Sequence, residues 1–366
     1  MSPTETHDLI VIGGGPAGSS AAIMAARGGA RVLLLERGRF PRHKVCGEFV
    51  SAESLHLLQA FLPDAEKALL EGAAEISAGR FFLDGHTLKT IFVPAARSIA
   101  RLDLDFALWR AAQQSGVEAL QPAAALQVRG HGPFQVATSA AEFSARAVIN
   151  ATGRWSNLNQ PATGDEKKWL GLKQHFAEPE ALRSVDLYFF EGGYCGVQPV
   201  ELAGERKCGR INACAMVRAD VASSLAEAFM LNPALRERSR SWQPRSEAVS
   251  TSPLIFHVPQ PVRRNVFLAG DAAAFVDPFI GDGISLALRS GSLAAACLLP
   301  FFQGKVSLHE AAGQYQRQYE RRLAGVFRAS SKIRRALLLP PAARKPLLFF
   351  LERTPAVTRF LVSKTR

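Results

Sequence analysis

Gly13, Gly15 and Gly18 stand at G-x-G-x-x-G spacing, and an acid, Glu36, follows twenty-three residues after the first glycine. That combination can hold a dinucleotide. The first glycine permits a tight turn, the second lets backbone approach a pyrophosphate, and the third lets helix and strand pack closely. Pro16 and Ala17 then open a helix whose unpaired N–H groups face the anion. Glu36 can accept hydrogen bonds from an adenosine ribose, and Arg37 can flank the adenosine. Far along the chain, NVFLAGDAA (265–273) ends an apolar run in Gly270-Asp271, where a strand-end carboxylate is free to accept a sugar hydroxyl. DPFIGDGISL (277–286) follows, and a helix beginning near Gly281-Asp282-Gly283-Ile284 aims its positive end at whatever lies beside the loop. A turn residue at Asp271 and an N-cap at Asp282 are the structural alternatives.

Three further points could do chemistry. Cys46-Gly47-Glu48 sets a thiol and a carboxylate around a glycine that lets backbone come close to a bound ring, although Cys46 could also be one more small buried side chain. Arg101 could bind a phosphate or ribityl group or lie at the surface. Thr152-Gly153 forms a second tight strand exit able to touch a dinucleotide.

The elements that must position these residues are legible in outline. Residues 9–12 are a short apolar strand, and 16–27 carry the small residues of a closely packed helix. Residues 76–94 alternate weakly, as short antiparallel strands do. A helix through Leu104, Ala107, Leu108 and Ala111 takes Asp103 as N-cap. Strands are expected at 117–120, 124–128, 134–137 and 147–150. A polar break at 163–168 leads into a β-rich stretch to about 217, then a helix at 220–229 and a strand at 253–258. No second G-x-G-x-x-G occurs, so a separate nicotinamide-binding Rossmann domain is not expected.

At 366 residues, 48% hydrophobic and 21% charged, the chain has room for two domains and the composition of a soluble globular protein. The N-terminus shows no secretory pattern, and the longest uninterrupted apolar run, 293–302, is too short to span a bilayer and contains Pro300. Five cysteines without a C-x-x-C pair fit reduced thiols in the cytoplasm, and eight histidines without a cluster make a metal site unexpected. Nearly all of the +12 net charge lies in 321–366, where twelve Lys/Arg face one acid, Glu352. Base-stacking aromatics and known nucleic-acid modules are missing from that tail. Helical segments broken at Pro340, Pro341, Pro346 and Pro355 can cap the core with their Leu/Phe faces. They can also lie peripherally on an anionic membrane, or steer an acidic carrier or coenzyme A thioester.

Four anchors, VIGGGPAGSSAA with Glu36, FPRHKVCGE, INATGRWS and NVFLAGDAAAFVDPFIGDGI, give the chain a resemblance over residues 8–290. It resembles the FAD-dependent superfamily of aromatic hydroxylases, squalene-type epoxidases, tryptophan halogenases and geranylgeranyl reductases. The resemblance implies that the glycine loop holds the FAD pyrophosphate, Glu36 the adenosine ribose and Asp271 the ribityl chain, with Arg101 near the cofactor. It also implies that the helix after Pro278 points its N-terminus at the flavin pyrimidine edge, stabilising the reduced anion. Hydroxylases carry an Asp-Gly pair implicated in FAD and NAD(P)H binding where Thr152-Gly153 stands, which argues against direct use of NAD(P)H; the electron donor is expected to be NAD(P)H or a separate reductase. Halogenases show W-x-W-x-I-P and geranylgeranyl reductases Y-x-W-x-F-P. Residues 194–199, YCGVQP, keep no tryptophan, which disfavours halogenation and weakens the standard prenyl reductase, whereas KVCGE resembles the reductase loop near the flavin.

The resulting expectation is an α/β fold: a doubly wound, Rossmann-like FAD domain from 1–75, 98–164 and 262–300. An inserted β-rich substrate domain comes from 76–97 and 165–261, and a basic helical C-terminal region from 301–366. The expected function is a cytoplasmic FAD-dependent monooxygenase, with peripheral membrane contact through the tail as one use of 321–366. It would hydroxylate or epoxidise a hydrophobic small molecule, free or carrier-bound, through a flavin hydroperoxide. Reduction of a carbon–carbon double bond is the alternative. Cys46, Glu48 and Tyr194 are the candidate proton donors or substrate contacts. A non-redox binding role of the Rab GDP-dissociation-inhibitor kind belongs to another class, and the intact Gly270-Asp271 segment argues against it.

Overall fold

Strands β1 (Thr6–Ile12) and β2 (Val32–Leu35) contain unbroken apolar runs because both faces of a parallel sheet are covered; residues 9–12 and 32–35 are all buried. The computed structural model describes residues 6–154, 158, 168–204, 209–337 and 339–354, and strands and helices are numbered in chain order. The expected break at 163–167, Trp155 and Ser156 of the INATGRWS anchor, Cys208 and the tail from Pro355 lie outside the described residues.

In the first sheet β1 pairs in parallel with β2 and with β9 (Glu142–Asn150). β6 (Glu118–Leu120) extends it beyond β2 and β17 (Val266–Leu268) beyond β9, both in parallel. β16 (Val262–Arg263) lies antiparallel at the edge, and the hairpin β7 (Ala125–Gly130) and β8 (Phe134–Thr138) joins the first half of β9. Because β1, β2, β9 and β17 run the same way, Gly13, Glu36, Thr152 and Gly270 all emerge along one edge, where ligands bind in open α/β sheets.

Helix α1 (Pro16–Arg27) packs between this sheet and α7 (Gly283–Phe302) through small residues: a Cβ on Gly291 would sit 2.0 Å from the Ala17 carbonyl oxygen. Among the described residues α7 is the one helix long and apolar enough to cross a membrane. Its most apolar window is 56% buried inside the protein, as in a core helix. α4 (Arg101–Gln114) buries Trp109, and α8 (Leu308–Arg322) buries Tyr315, whose hydroxyl donates to the Leu268 carbonyl at 2.8 Å.

The second sheet draws on three parts of the chain: β3 (Phe49–Val50); β4 (Ala74–Leu83) and β5 (His86–Ser98); and β10 (Trp169–Ala177), β11 (Ser184–Phe190), β12 (Gly193–Pro199), β13 (Arg210–Arg218), β14 (Gln243–Pro244) and β15 (Val249–Thr251). Its order is β14-β10-β13-β12-β11-β4-β5-β3, with β15 also on β10, and only β4 and β11 pair in parallel. α2 (Ala52–Phe61) and α3 (Asp64–Gly72) connect the sheets on the first side. α5 (Leu225–Met230) and α6 (Pro233–Arg238) cover one face of the second sheet, with Phe176, Phe229 and Trp242 in contact there.

Beyond α8, α9 (Ala324–Leu337) and α10 (Pro341–Arg353) fold back onto the second sheet. Arg334 Nε donates to Asp277 at 2.9 Å, Arg344 grips Asp84 at 2.9 and 3.0 Å, and His86 meets Glu352 at 2.8 Å.

Four local expectations are corrected. Asp103 lies inside the first turn of α4, whose N-cap is Ala100, and accepts instead from the Ala203 N–H at 3.1 Å. Residues 253–258 join no strand; Leu254 and Phe256 pack against Phe275 without a neighbouring strand to pair their backbone. The helix expected at 220–229 begins only at Leu225, where Ser224 caps it. Pro346 sits within α10 without ending it, since one missing N–H costs a single rung of a helix anchored by packing.

Candidate active site

A cavity of about 1130 Å³ begins at the shared strand edge and runs between the two sheets to α9 and α10. It exceeds the roughly 300–1,000 Å³ of a site for one small molecule, so it has room for a cofactor and a second ligand. At its first end the backbone forms a cradle. Gly13 has φ +107°, a conformation that L side chains avoid, and a Cβ on Gly18 would lie 1.7 Å from the Gly13 carbonyl oxygen. A Cβ on Gly15 would meet only Arg101 Nη2, at 3.8 Å, and one on Gly47, Gly153 or Gly283 would meet nothing within 4 Å. The chain therefore presents bare backbone to the cavity at four separated points.

Side chains complete this end. Glu36, buried, accepts from Gly14 N–H (2.9 Å), Gly38 N–H (2.8 Å) and Arg42 Nη2 (2.6 Å), which fixes its carboxylate at the tip of β2. Arg101 forms a two-pronged pair with Asp105, both contacts 2.7 Å, and its guanidinium also reaches the Cys46 sulfur. Asn150 Oδ1 accepts from Thr152 N–H and Oγ1 at 3.1 and 2.7 Å, holding the second strand exit. Arg154 Nε lies 3.8 Å from Asp271. Lys44 lines the wall beside them. Burial, then the charges of Arg42 and Arg101, bring its ammonium down to about 8.

Midway along the cavity the Cys46-Gly47-Glu48 loop crosses from the first sheet to the second. Glu48 is fully buried with φ +62°, an uncommon backbone state held by its contacts. Its carboxylate accepts from Arg101 N–H (2.8 Å), from Lys173 Nζ and from His175 Nε2 (2.9 Å). Lys173 and His175 alternate on β10 and are themselves 1% and 0% exposed. Burial alone would raise the Glu48 carboxyl, but Lys173 and then His175 outweigh it and hold it down to about 2. Glu48 is a fixed anion, with its own N–H donating to Cys46 Sγ at 3.3 Å. Asn212 Nδ2 donates to the Cys46 carbonyl at 3.0 Å, so the second sheet also grips the loop.

The far end is apolar. Phe81, Leu83, Leu88, Phe92, Leu187 and Phe189 of the second sheet line it, and Leu337, Leu348 and Leu351 close it. Tyr194 also faces this chamber; its hydroxyl donates to Asp277 at 3.1 Å, and burial with that anion beside it pushes the phenol well up.

A family model described as FAD dependent oxidoreductase matches residues 8–154. The menaquinone reductase of Mycobacterium tuberculosis is 28% identical over 323 residues, covering 81% of this chain and 78% of that one. The geranylgeranyl bacteriochlorophyll reductase-like structure from Thermoplasma acidophilum superposes with a TM-score of 0.80 at 20% identity, over 99% of this chain and 96% of its own. A flavin-dependent halogenase of Armillaria mellea is 26% identical, covering 84% of this chain and 67% of that one. Residues 8–154 match the FAD-dependent oxidoreductase family, and the likeness to flavin-dependent reductases and halogenases extends over most of the chain.

The first end of the cavity fits FAD by its own geometry. The bare backbone at Gly15 and the start of α1 suit a pyrophosphate, and the carboxylate of Glu36 has lone pairs left for a ribose. No side chain caps the first turn of α7, and Gly283 and Ile284 line the cavity, leaving N–H groups for the far end of the cofactor. Of the residues expected at the cofactor, the structure brings Gly13, Gly15, Pro16, Ala17, Glu36, Arg37, Cys46, Gly47 and Arg101 to the cavity wall. Thr152, Gly153, Gly270, Asp271, Pro278, Gly281, Gly283 and Ile284 join them there. Gly18 and Asp282 do not line it; Gly18 serves the packing of α1 on the turn. Cys46, Glu48 and Tyr194 all reach the cavity.

Sequence reasoning missed Arg42, Lys44 and the Lys173–His175 pair. The K-x-H alternation inside the apolar strand GLKQHFA was a signal for that pair, because it puts two polar groups on one buried face.

Proposed function

We propose that this flavoenzyme reduces a carbon–carbon double bond in a long apolar substrate of prenyl type. The observation that carries the reading is the continuity of the cavity: one passage leads from the cofactor end past Cys46-Gly47 into a chamber walled by phenylalanine and leucine. The names of the reductase relatives support it, and they favour reduction over the monooxygenase expected from sequence motifs. Held at the Gly13–Gly15 turn, Glu36 and the start of α7, FAD in its reduced form would supply a hydride for one alkene carbon, and the other carbon would need a proton. Glu48 cannot give one, because its carboxyl is already ionised and enclosed by Lys173 and His175. Tyr194 keeps its proton engaged with Asp277. Cys46 lines the passage between the two ends, with Glu48 N–H and the Arg101 guanidinium beside its sulfur to meet the charge left after transfer. The apolar walls exclude water and align the chain of the substrate.

The test is product analysis under two atmospheres. The protein, reduced with dithionite, is mixed with a geranylgeranyl lipid that carries no other reducible group. Gain of two hydrogens by the substrate without dioxygen supports the proposal. Gain of an oxygen atom, only in air, would instead establish the monooxygenase.

A further inference from the structure

Helix α10 is apolar on two faces. Arg344, Leu348 and Leu351 recur at helical spacing and turn inward, Leu348 packing on Leu83 and Leu88 at 5% exposure. The other side carries Leu347, Phe349 and Phe350, which are 50, 51 and 53% exposed, and Leu339 ahead of the helix is 48% exposed. Phe349 and Phe350 are the exposed phenylalanines among the described residues. A helix apolar on both sides is normally buried, and a contiguous exposed apolar patch rimmed by polar groups marks an interaction surface.

The rim has one sign. Arg328, Lys332 and Arg335 recur at helical spacing on α9, Lys345 and Arg353 lie on α10, and all five are exposed and make no ion pair among the described residues; Arg353 instead stacks on Phe349, 3.5 Å from the ring centre. The one acid in α9 and α10, Glu352, is engaged by His86. The patch also lies at the mouth of the cavity, since Leu347 and Lys332 are exposed and line its wall.

We propose that this face of α9 and α10 seats on an anionic lipid bilayer, with Leu347, Phe349 and Phe350 at the headgroup boundary and the cations on lipid phosphates. The hydrophobic substrate then passes from lipid into the cavity beside Leu347. A bilayer fits this surface because half-exposed aromatic and aliphatic side chains with a purely cationic rim match an apolar layer under a negative surface. Supply of substrate from the lipid rests on the reductase reading; seating on the bilayer does not.

The test is co-sedimentation of the FAD-loaded full chain with phosphatidylcholine vesicles, plain or carrying about 30% phosphatidylglycerol to give a negative surface. Binding to the anionic vesicles that weakens with salt is expected. Phe349→Ser with Phe350→Ser should weaken it by about tenfold or more. Lys332→Glu and Lys345→Glu should weaken it by about fivefold each. Flavin absorbance and melting temperature should stay unchanged in all of them, because these side chains are exposed. Absence of binding by the intact chain, or equal binding by the variants, would overturn the proposal. So would lipid-free dimers that the phenylalanine substitutions dissolve, which would assign the face to a second copy. If the chain binds vesicles but prenyl lipid within them leaves the reduced flavin unoxidised, docking stands and the reductase reading falls.

Discussion

Replacing Lys173 with methionine removes the cation that faces Glu48 and leaves a carboxylate at 0% exposure with only His175 and the Arg101 N–H as partners. Breaking one half of a buried ion pair costs about 3–5 kcal/mol. Holding the Glu48 carboxyl down from 4.5 to about 2 corresponds, at about 1.4 kcal/mol per tenfold change in proton affinity, to about 3 kcal/mol. Because two of the three donors remain, the loss should fall near the lower end, about 3 kcal/mol at pH 7. Equilibrium urea unfolding with excess FAD measures it without confusing cofactor release with unfolding. Without Lys173, burial raises the folded-state affinity of Glu48 for a proton, so the deficit of Lys173→Met should shrink between pH 7 and 5. The double variant Lys173→Met with Glu48→Gln removes both charges and should regain most of the loss. A deficit below about 1 kcal/mol at pH 7, or a double variant no better than the single one, would refute the view that this pair clamps the two sheets at the Cys46 loop.

Other outcomes follow from the same geometry. The folded-state pKa of Glu48 is depressed, so its contribution is present above about 4.5 and is lost as pH falls towards 2; Glu48→Gln should flatten the stability profile there, as acid titration followed by circular dichroism checks. Gly15→Val should fold yet lose FAD, whereas Gly18→Ala should damage folding itself, because its Cβ would sit 1.7 Å from the Gly13 carbonyl oxygen; flavin stoichiometry beside melting curves separates the two. Lys44 lies at about 8 among Arg42 and Arg101, so FAD binding to the apoprotein should weaken as pH rises through that value, and Lys44→Met should remove the trend in a fluorescence titration. Cys46→Ser should slow substrate reduction by about 10²-fold or more while leaving reduction of the flavin by dithionite untouched, which single-turnover absorbance resolves.

What the sequence disclosed were demands of the backbone. A turn at φ +107° and a crossing too tight for any Cβ are written as glycine at fixed spacing, and strand ends that line the cavity are written as Glu36 and Gly270-Asp271. Partners brought together by docking of the two sheets were not legible in the same way. Glu48 meets Lys173 and His175 across more than a hundred residues, and only the polar alternation inside β10 hinted at a buried charge. Asp103 shows the ambiguity of a cap signal, since an acid in the first turn and an acid at the N-cap look alike in sequence. Residues 253–258 alternate as a strand would, but alternation reports which side chains are buried, and only a neighbouring strand makes a ladder. The leucines of the basic tail left its use open between capping and membrane contact. In the structure Leu348 caps the cavity while Phe349 and Phe350 stay outside.

The central claim is that the reduced cofactor delivers its electrons to an alkene bound in the apolar chamber. Anaerobic stopped-flow at the flavin absorbance band measures that delivery directly. Rapid reoxidation of the reduced protein is expected on mixing with a prenyl substrate in the absence of dioxygen, slowed when Gly196→Phe on β12, a cavity-lining glycine beside Leu187, narrows the chamber. Reduced flavin that stays reduced with every prenyl substrate, and reoxidises only when dioxygen is admitted, would contradict it.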